Sequence, residues 1–268
     1  MEIFQIIFLI FMFILGAALG SFLCCQARRL HLRSEGQKPL GSRSVCLHCR
    51  KKLAWYENIP IISWLALRGK CRKCGKKIGL AEFLSELGSA LAFTLVSLNF
   101  DFSTLTPLSI ATFITTLILA TLLIFLAIYD GLYGELPLLI LTFSIVCAII
   151  VSIGRLAQIF LTSSFQIQSI LEIFGSVAIL GGTYLTLYLI SKGKWVGSGD
   201  WLLGIAIGFA LMSPWLALIT LTLANLLATL IMLPQMRSRK DHKIYFGPFL
   251  VIAFVIVYAF AKYAIIKI

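Results

Sequence analysis

The chain has 268 residues, of which 60% are hydrophobic and 13% charged, and its mean hydropathy is +0.98. That composition excludes an ordinary soluble domain and a disordered chain, and it fits an all-α polytopic membrane protein. The net charge of +12 matters for where it sits: it orients helices in a bilayer, and no nucleic-acid partner is expected.

The first 25 residues do not read as a cleaved signal. Glu2 stands where a signal peptide carries positive charge, and Arg28 and Arg29 follow the apolar run as a stop would. Ile3 to about Leu23 is therefore a retained helix, since about 20 apolar residues span a bilayer. Residues 1–25 form the first transmembrane segment. A polar segment, 26–82, comes next, with fourteen Lys or Arg against Glu35, Glu57 and Glu82. The positive-inside rule places it in the cytoplasm, with the N-terminus outside.

Residues 83–268 form a transmembrane core. Apolar runs predict helices near Phe83–Leu98, Leu105–Ile128, Leu136–Ile153, Ile170–Ile190, Trp201–Met212, Pro214–Leu233 and Phe246–Ile265. The short sixth run parts from the seventh at Ser213-Pro214. With the first helix this makes about eight spans and both termini outside. Lys192, Lys194 and the basic run Arg237 to Lys240 fall inside. Asp101 and the turn around Ser163 and Ser164 fall outside, while Arg155 and Lys267 fall outside against the rule. No internal repeat stands out.

Two aspartates share the cytoplasmic face in this topology. Asp200 ends Gly197-Ser198-Gly199-Asp200, at the mouth of a membrane helix, where a carboxylate is expensive and marks function. Gly197 and Gly199 leave room for another backbone to approach it. Taken alone, Asp200 also reads as a helix cap. Asp130 ends the third span, before the turn Gly131 to Pro137, and alone reads as an interfacial cap as well. Glu135 is a rival partner for Asp200. Glu86 belongs near the cytoplasmic end of the second span, whereas Glu172 belongs near the outer end of the fifth. Two close carboxylates do not readily both ionise, so one holds a proton while the other stays charged. Such a pair can activate water against an amide without a metal or a covalent intermediate.

Cys46, Cys49, Cys71 and Cys74 form two C-x-x-C pairs with 21 residues between them, the spacing of a four-thiolate zinc site of zinc-ribbon type. A reducing cytoplasm disfavours disulfides. Free thiols or a redox pair are the competing readings, and His48 is a rival ligand. Four thiolates leave no open position, so the zinc is expected to be structural. Cys24, Cys25 and Cys147 sit in apolar runs as small core residues.

With these residues in view, the chain resembles the bacterial prepilin peptidases, or type IV leader peptidases, aspartic proteases of Gly-x-Gly-Asp type. The resemblance covers most of the chain. Gly20-Ser21-Phe22-Leu23 with Arg29 looks like the opening motif, and Trp55 to Trp64 with Leu67 to Arg72 is similar to the loop signature. Gly197 to Asp200 matches Gly-x-Gly-Asp, Gly247-Pro248-Phe249 looks like the closing motif, and Asp130 stands where the family has its first catalytic aspartate. The chain departs from the pattern at Cys24 (often Asn), Leu138 (usually Asp), Leu202 (often Lys) and Glu82-Phe83 (Tyr-Pro), while Glu86 matches the family's glutamate.

The resemblance implies catalytic Asp130 and Asp200, cleavage of the basic leader from prepilins or pseudopilins at the cytoplasmic face of the bacterial inner membrane, and, in many members, methylation of the new N-terminus with S-adenosylmethionine. Two other readings stand beside it: a non-enzymatic membrane assembly protein with a zinc module, and a proton- or cation-coupled transporter. A transporter would want its carboxylates near midplane at broken helices.

Overall fold

The computed structural model describes residues 2–37, 43–103, 105–162, 167–236 and 245–265. The expectations for Arg237 to Lys240, for Ser163 and Ser164 and for Lys267 lie outside these residues. The chain divides into two compact units, Met1–Thr94 and Leu95–Ile268.

The first unit opens with α1 (Glu2–Ser34), which runs on past the expected end near Leu23. After it come a 3₁₀ turn (Trp55–Asn58), the short α2 (Ile62–Ala66) and α3 (Leu80–Ser97). α1 and α3 meet backbone to backbone. A Cβ on Gly16 would stand 2.5 Å from Ser89 O, and one on Gly20 would stand 2.4 Å from Ser85 O. Two small residues four apart are the usual means of close helix approach in a membrane. Between these helices the chain repeats itself, contrary to the expectation of no repeat. Val45 bridges Lys52 and Lys70 bridges Lys77, each around one C-x-x-C pair. In each turn the residue four after the first cysteine, Arg50 or Gly75, has positive φ and donates its N–H to that cysteine's carbonyl. Among the described residues there is no other β pairing.

The second unit holds α4 (Pro107–Tyr133), α5 (Leu138–Thr162), α6 (Ile167–Val177), a π turn (Ala178–Gly182), α7 (Thr183–Ser191), α8 (Asp200–Leu211), α9 (Pro214–Met236) and α10 (Gly247–Ile265). α4 shows why such runs become helices: Thr106 accepts from Ser109 N–H at 3.1 Å, Pro107 occupies the first turn, and Gly134, at φ 71°, closes the C-terminus. The break expected at Ser213-Pro214 is present, because Met212 takes a left-handed conformation and Pro214 starts α9.

Six helices are long and apolar enough to cross a membrane among the described residues, against the eight spans expected, and two further apolar helices, Asp200–Leu211 and Gly247–Ala261, are shorter. At 12 residues α8 is about 18 Å long, against about 30 Å of hydrocarbon. It is packed into the protein instead. A Cβ on Gly204 would stand 3.0 Å from the Leu180 carbonyl, one on Gly208 2.7 Å from Val177 Cα, and one on Gly181 2.5 Å from Ile205 Cγ1. Its last carbonyls accept from neighbouring side chains: Gly208 O from Ser176 at 2.8 Å and Phe209 O from Ser152 at 2.7 Å. The Ser152 bond satisfies a carbonyl that a helix terminus otherwise leaves open in an apolar interior, while Gly208 O also accepts from the Met212 N–H at 3.3 Å.

Candidate functional site

Asp200 is the first residue of α8 and is 7% exposed. The loop before it folds back so that Gly197 N–H donates to Asp200 Oδ2 at 2.9 Å, and Asp200 N–H returns to Gly197 O at 3.3 Å. This local turn fixes the carboxylate rather than leaving it to swing. Gly199 is pressed against the turn that follows α4: a Cβ there would stand 2.7 Å from Leu136 Cβ. Its lack of a side chain is what lets the Gly-x-Gly-Asp loop reach that turn.

Asp130 lies in the last turn of α4 and is 5% exposed. Its position is set from α10, 117 residues away in sequence: Gly247 N–H donates to Asp130 Oδ2 at 2.9 Å. Gly247 opens α10, so the carboxylate takes one of the N–H groups that a helix start leaves free and meets the positive end of the helix dipole. A Cβ on Gly247 would stand 2.8 Å from that same oxygen.

The two aspartates come together, close enough that the charge of Asp200 acts on Asp130. Each gives one oxygen to a backbone N–H, and among the described residues nothing bonds the other. Among the described residues Glu135, Glu172 and Glu86 do not join them. Glu135 is exposed. Glu172 accepts from Gln168, and Glu86 takes Ile61 N–H at 2.7 Å in the first unit. Two residues of the site escape the sequence reading. Gly247 was visible only as a motif residue, with no role. Tyr184, 2% exposed, stacks on Phe246 at 5.1 Å, lies within reach of the charge of Asp200, and has a buried hydroxyl with no hydrogen-bond partner among the described residues. Its place on α7 is signalled by nothing near it in sequence.

The four expected cysteines also come together. Their sulfurs all lie within 4.8 Å of one another, with Cys46 Sγ to Cys74 Sγ at 3.9 Å. Four sulfurs about 2.3 Å from one tetrahedral zinc stand about 3.8 Å apart, so the cluster fits that ion. Cys74 and Lys73 backbone N–H groups pull the Cys71 thiol down to about 6, while at Cys74 the Lys76 N–H is outweighed by burial and the thiols of Cys71, Cys49 and Cys46, which push it up to about 11, so the thiols compete to ionise. His48 is not part of the cluster. Beside it Glu57 caps the 3₁₀ turn, accepting from Ala54 N–H at 2.9 Å and from Lys51 Nζ at 2.9 Å. These two contacts, the backbone one first, hold its carboxyl below the usual range.

Residues 14–100 match the bacterial peptidase A24 N-terminal domain. The chain is 39% identical over 132 residues to the prepilin leader peptidase/N-methyltransferase of Myxococcus xanthus, covering 49% of this chain and 36% of that protein. It is 30% identical over 201 residues to the protein of the same name from Klebsiella pneumoniae, covering 74% of this chain and 82% of that one. To the Neisseria gonorrhoeae protein, also of that name, it is 30% identical over 216 residues, or 78% and 68% of the two. The match thus spans little more than a third of the Myxococcus protein and most of the Klebsiella one. No solved structure matches the chain. With the helices, the cysteine cluster and the paired aspartates already described, this likeness over most of its length shows that the chain belongs to the prepilin leader peptidase/N-methyltransferase family.

Proposed function

We propose that this membrane protein is an aspartic endopeptidase that removes the basic leader from prepilins or pseudopilins, with Asp130 and Asp200 as its catalytic pair. The observation that carries the reading is the pair itself: two buried carboxylates from α4 and α8, each fixed through one oxygen by a backbone N–H. The charged carboxylate takes the proton of the attacking water while the protonated one donates to the carbonyl oxygen; as the C–N bond breaks, the first passes its proton to the leaving amine and the second takes one back from the intermediate's hydroxyl. The N–H groups of Gly197 and Gly247 hold both in place and cost no reorganisation during the reaction. Gly197 and Gly199 frame the approach of the substrate backbone. The face is the cytoplasmic one of the bacterial inner membrane, since the basic run from Arg28 to Lys77 orients α1 and α3 that way. Carboxylates at helix ends suit a membrane-anchored peptide better than a transporter's ion path, and the names of the relatives favour neither a transporter nor a passive assembly protein.

Zinc is the ion proposed for Cys46, Cys49, Cys71 and Cys74. Four thiolates would close the site, so the ion would supply folding free energy to the loop and no chemistry.

One observation favours methyl transfer as well. A cavity of the first unit is lined by Trp64 and Glu82, whose indole Nε1 and carboxylate Oε2 are buried without hydrogen-bond partners among the described residues. A donor and an acceptor left open in one cavity fit the amino-acid end of S-adenosylmethionine. When bound, that cofactor supplies the methyl group, and Trp64 and Glu82 would hold it.

Co-expression with a prepilin and intact mass of the pilin tests both activities. Wild-type protein should remove the leader, and Asp130→Asn and Asp200→Asn should each leave it in place while still inserting in the membrane. Near wild-type turnover in either variant would overturn the pair. A further 14 Da on the processed pilin would report the methyl group.

A further inference from the structure

Arg155 breaks the charge rule that orients the other loops, and the structure gives it a different use. It lies on α5, away from both aspartates. Its Nη1 donates to Ala210 O at 2.8 Å, its Nη2 donates to the Tyr258 hydroxyl, and its guanidinium sits over the Tyr258 ring at 4.9 Å. Among the described residues no carboxylate pairs with it. A guanidinium in a membrane protein without a counter-charge needs such partners, and here they belong to α8, which carries Asp200, and to α10, whose first N–H holds Asp130.

Ala210 lies ten residues beyond Asp200 on α8, and Tyr258 lies eleven beyond Gly247 on α10. At 1.5 Å per residue these are about 15 Å and about 17 Å. One side chain therefore grips both helices at nearly the same distance from the residues that they contribute. α8 begins with Asp200, and α10 begins with the N–H that holds Asp130. Asp130 itself stands on α4, so the axial offset of α8 against α10 is the offset of Asp200 against the N–H that holds Asp130. α8 is free to slide only as far as its far end allows, and that end is tied to α5 by Ser152 and Arg155. Tyr258 is pinned in turn, its carbonyl accepting from Asn99 at 2.7 Å.

We infer that Arg155 is a positioning residue for the Asp130–Asp200 pair, setting the register of α8 against α10 from the end opposite the site. The inference rests on the reading of that pair as catalytic. If Arg155 only capped α8, its loss would lower the folded fraction and leave each folded molecule as active as before. A misplacement of about 1 Å at a reacting centre instead costs on the order of a hundredfold in rate.

The test compares Arg155→Leu, Arg155→Lys and Tyr258→Phe with wild type in purified protein. Tyr258→Phe keeps the ring and removes only the hydroxyl; lysine keeps the charge but offers no planar fork to bridge both helices. For a membrane-anchored prepilin, kcat should fall about tenfold to a hundredfold in the two Arg155 variants, on the scale of that misplacement, with KM within about twofold. Hydrogen exchange should quicken at the Gly197 and Gly247 amides, which the carboxylates hold, with Tyr258→Phe affected less in both readouts. Folded variants with kcat within about twofold of wild type and unchanged exchange at both amides would overturn the inference. If Arg155→Leu does not fold, Tyr258→Phe decides by the same two readouts. Asp130→Asn and Asp200→Asn run alongside: cleavage by either refutes the catalytic pair, whereas exchange at Gly197 and Gly247 still reports whether Arg155 sets the register.

Discussion

Gly247→Ala isolates the contact that holds Asp130. Gly247 is in ordinary helical backbone, so alanine brings no strain of its own; the added methyl carbon would stand 2.8 Å from Asp130 Oδ2 and 3.3 Å from Asp130 Cβ and Cγ. The carboxylate, not the backbone, has to give way. Moving it stretches or bends the 2.9 Å bond from Gly247 N–H. A hydrogen bond to a charged group contributes about 1.5–3 kcal/mol. If that loss falls on the transition state, 1.36 kcal/mol per factor of ten makes it about a tenfold to 150-fold drop in kcat/KM. Stability should change little, because one methyl group is added beside a side chain that can rotate. The assay is cleavage of a full-length prepilin in proteoliposomes, followed by intact mass, with thermal unfolding measured on the same preparation. A folded Gly247→Ala protein within about twofold of wild type would refute the view that this N–H holds a reacting carboxylate.

Four further outcomes follow from the same geometry. Gly208→Val should separate α8 from the end of α6, since a Cβ there meets Val177 Cα at 2.7 Å; the overpacking should destabilise the protein by about 1–3 kcal/mol in thermal unfolding and lower activity with it. Purified protein should hold about one zinc per chain, and Cys46→Ser with Cys49→Ser should lose it, lowering the unfolding temperature and weakening cleavage without abolishing it; absent zinc with all four thiols alkylated in native protein would reject the site. The depressed carboxyl of Glu57 stabilises the loop above its unfolded value of about 4.3 and stops doing so as pH falls through its folded value. Limited proteolysis should therefore separate wild type from Glu57→Gln at neutral pH and not in acid. Finally, a soluble leader peptide without its membrane helix should be cleaved far more slowly than the anchored substrate, and equal rates would contradict recognition through the bilayer.

The sequence carries what depends on composition and local spacing, and loses what depends on which helix meets which. Eight apolar runs, four cysteines and two aspartates at helix ends could all be read off the chain. The end of α1 could not, because Arg28 to Arg33 mark where the bilayer stops and not where the helix does. The two cysteine turns are alike in the chain itself, Cys-x-x-Cys-x-Lys-Lys at 46–52 and at 71–77, whereas the positive φ shared by Arg50 and Gly75 shows only in the backbone. Gly16 with Gly20 and Gly204 with Gly208 have a legible spacing, but the spacing names no partner, and Ser85, Ser89 and Val177 appear only in three dimensions. The bond from Gly247 to Asp130 spans 117 residues, and no periodicity or propensity reports such a distance.

The short helix and the buried carboxylates are parts of one arrangement. A charged group in a membrane protein has to find donors that hydrocarbon does not supply. Helix N-termini supply them, since their first N–H groups have no partner within the helix. Asp130 uses the start of α10 and Asp200 uses the loop at the start of α8, so both starts must lie at the depth of the paired carboxylates. A helix of 12 residues that begins there ends inside the protein, where its last carbonyls meet neither water nor headgroups. Ser176, Ser152 and Arg155 supply donors to Gly208, Phe209 and Ala210 in turn. The polar side chains at the far end of α8 thus follow from the placement of the carboxylate at its near end. Ser152 and Arg155, three apart and therefore on one face of α5, are the price of starting a short helix at Asp200.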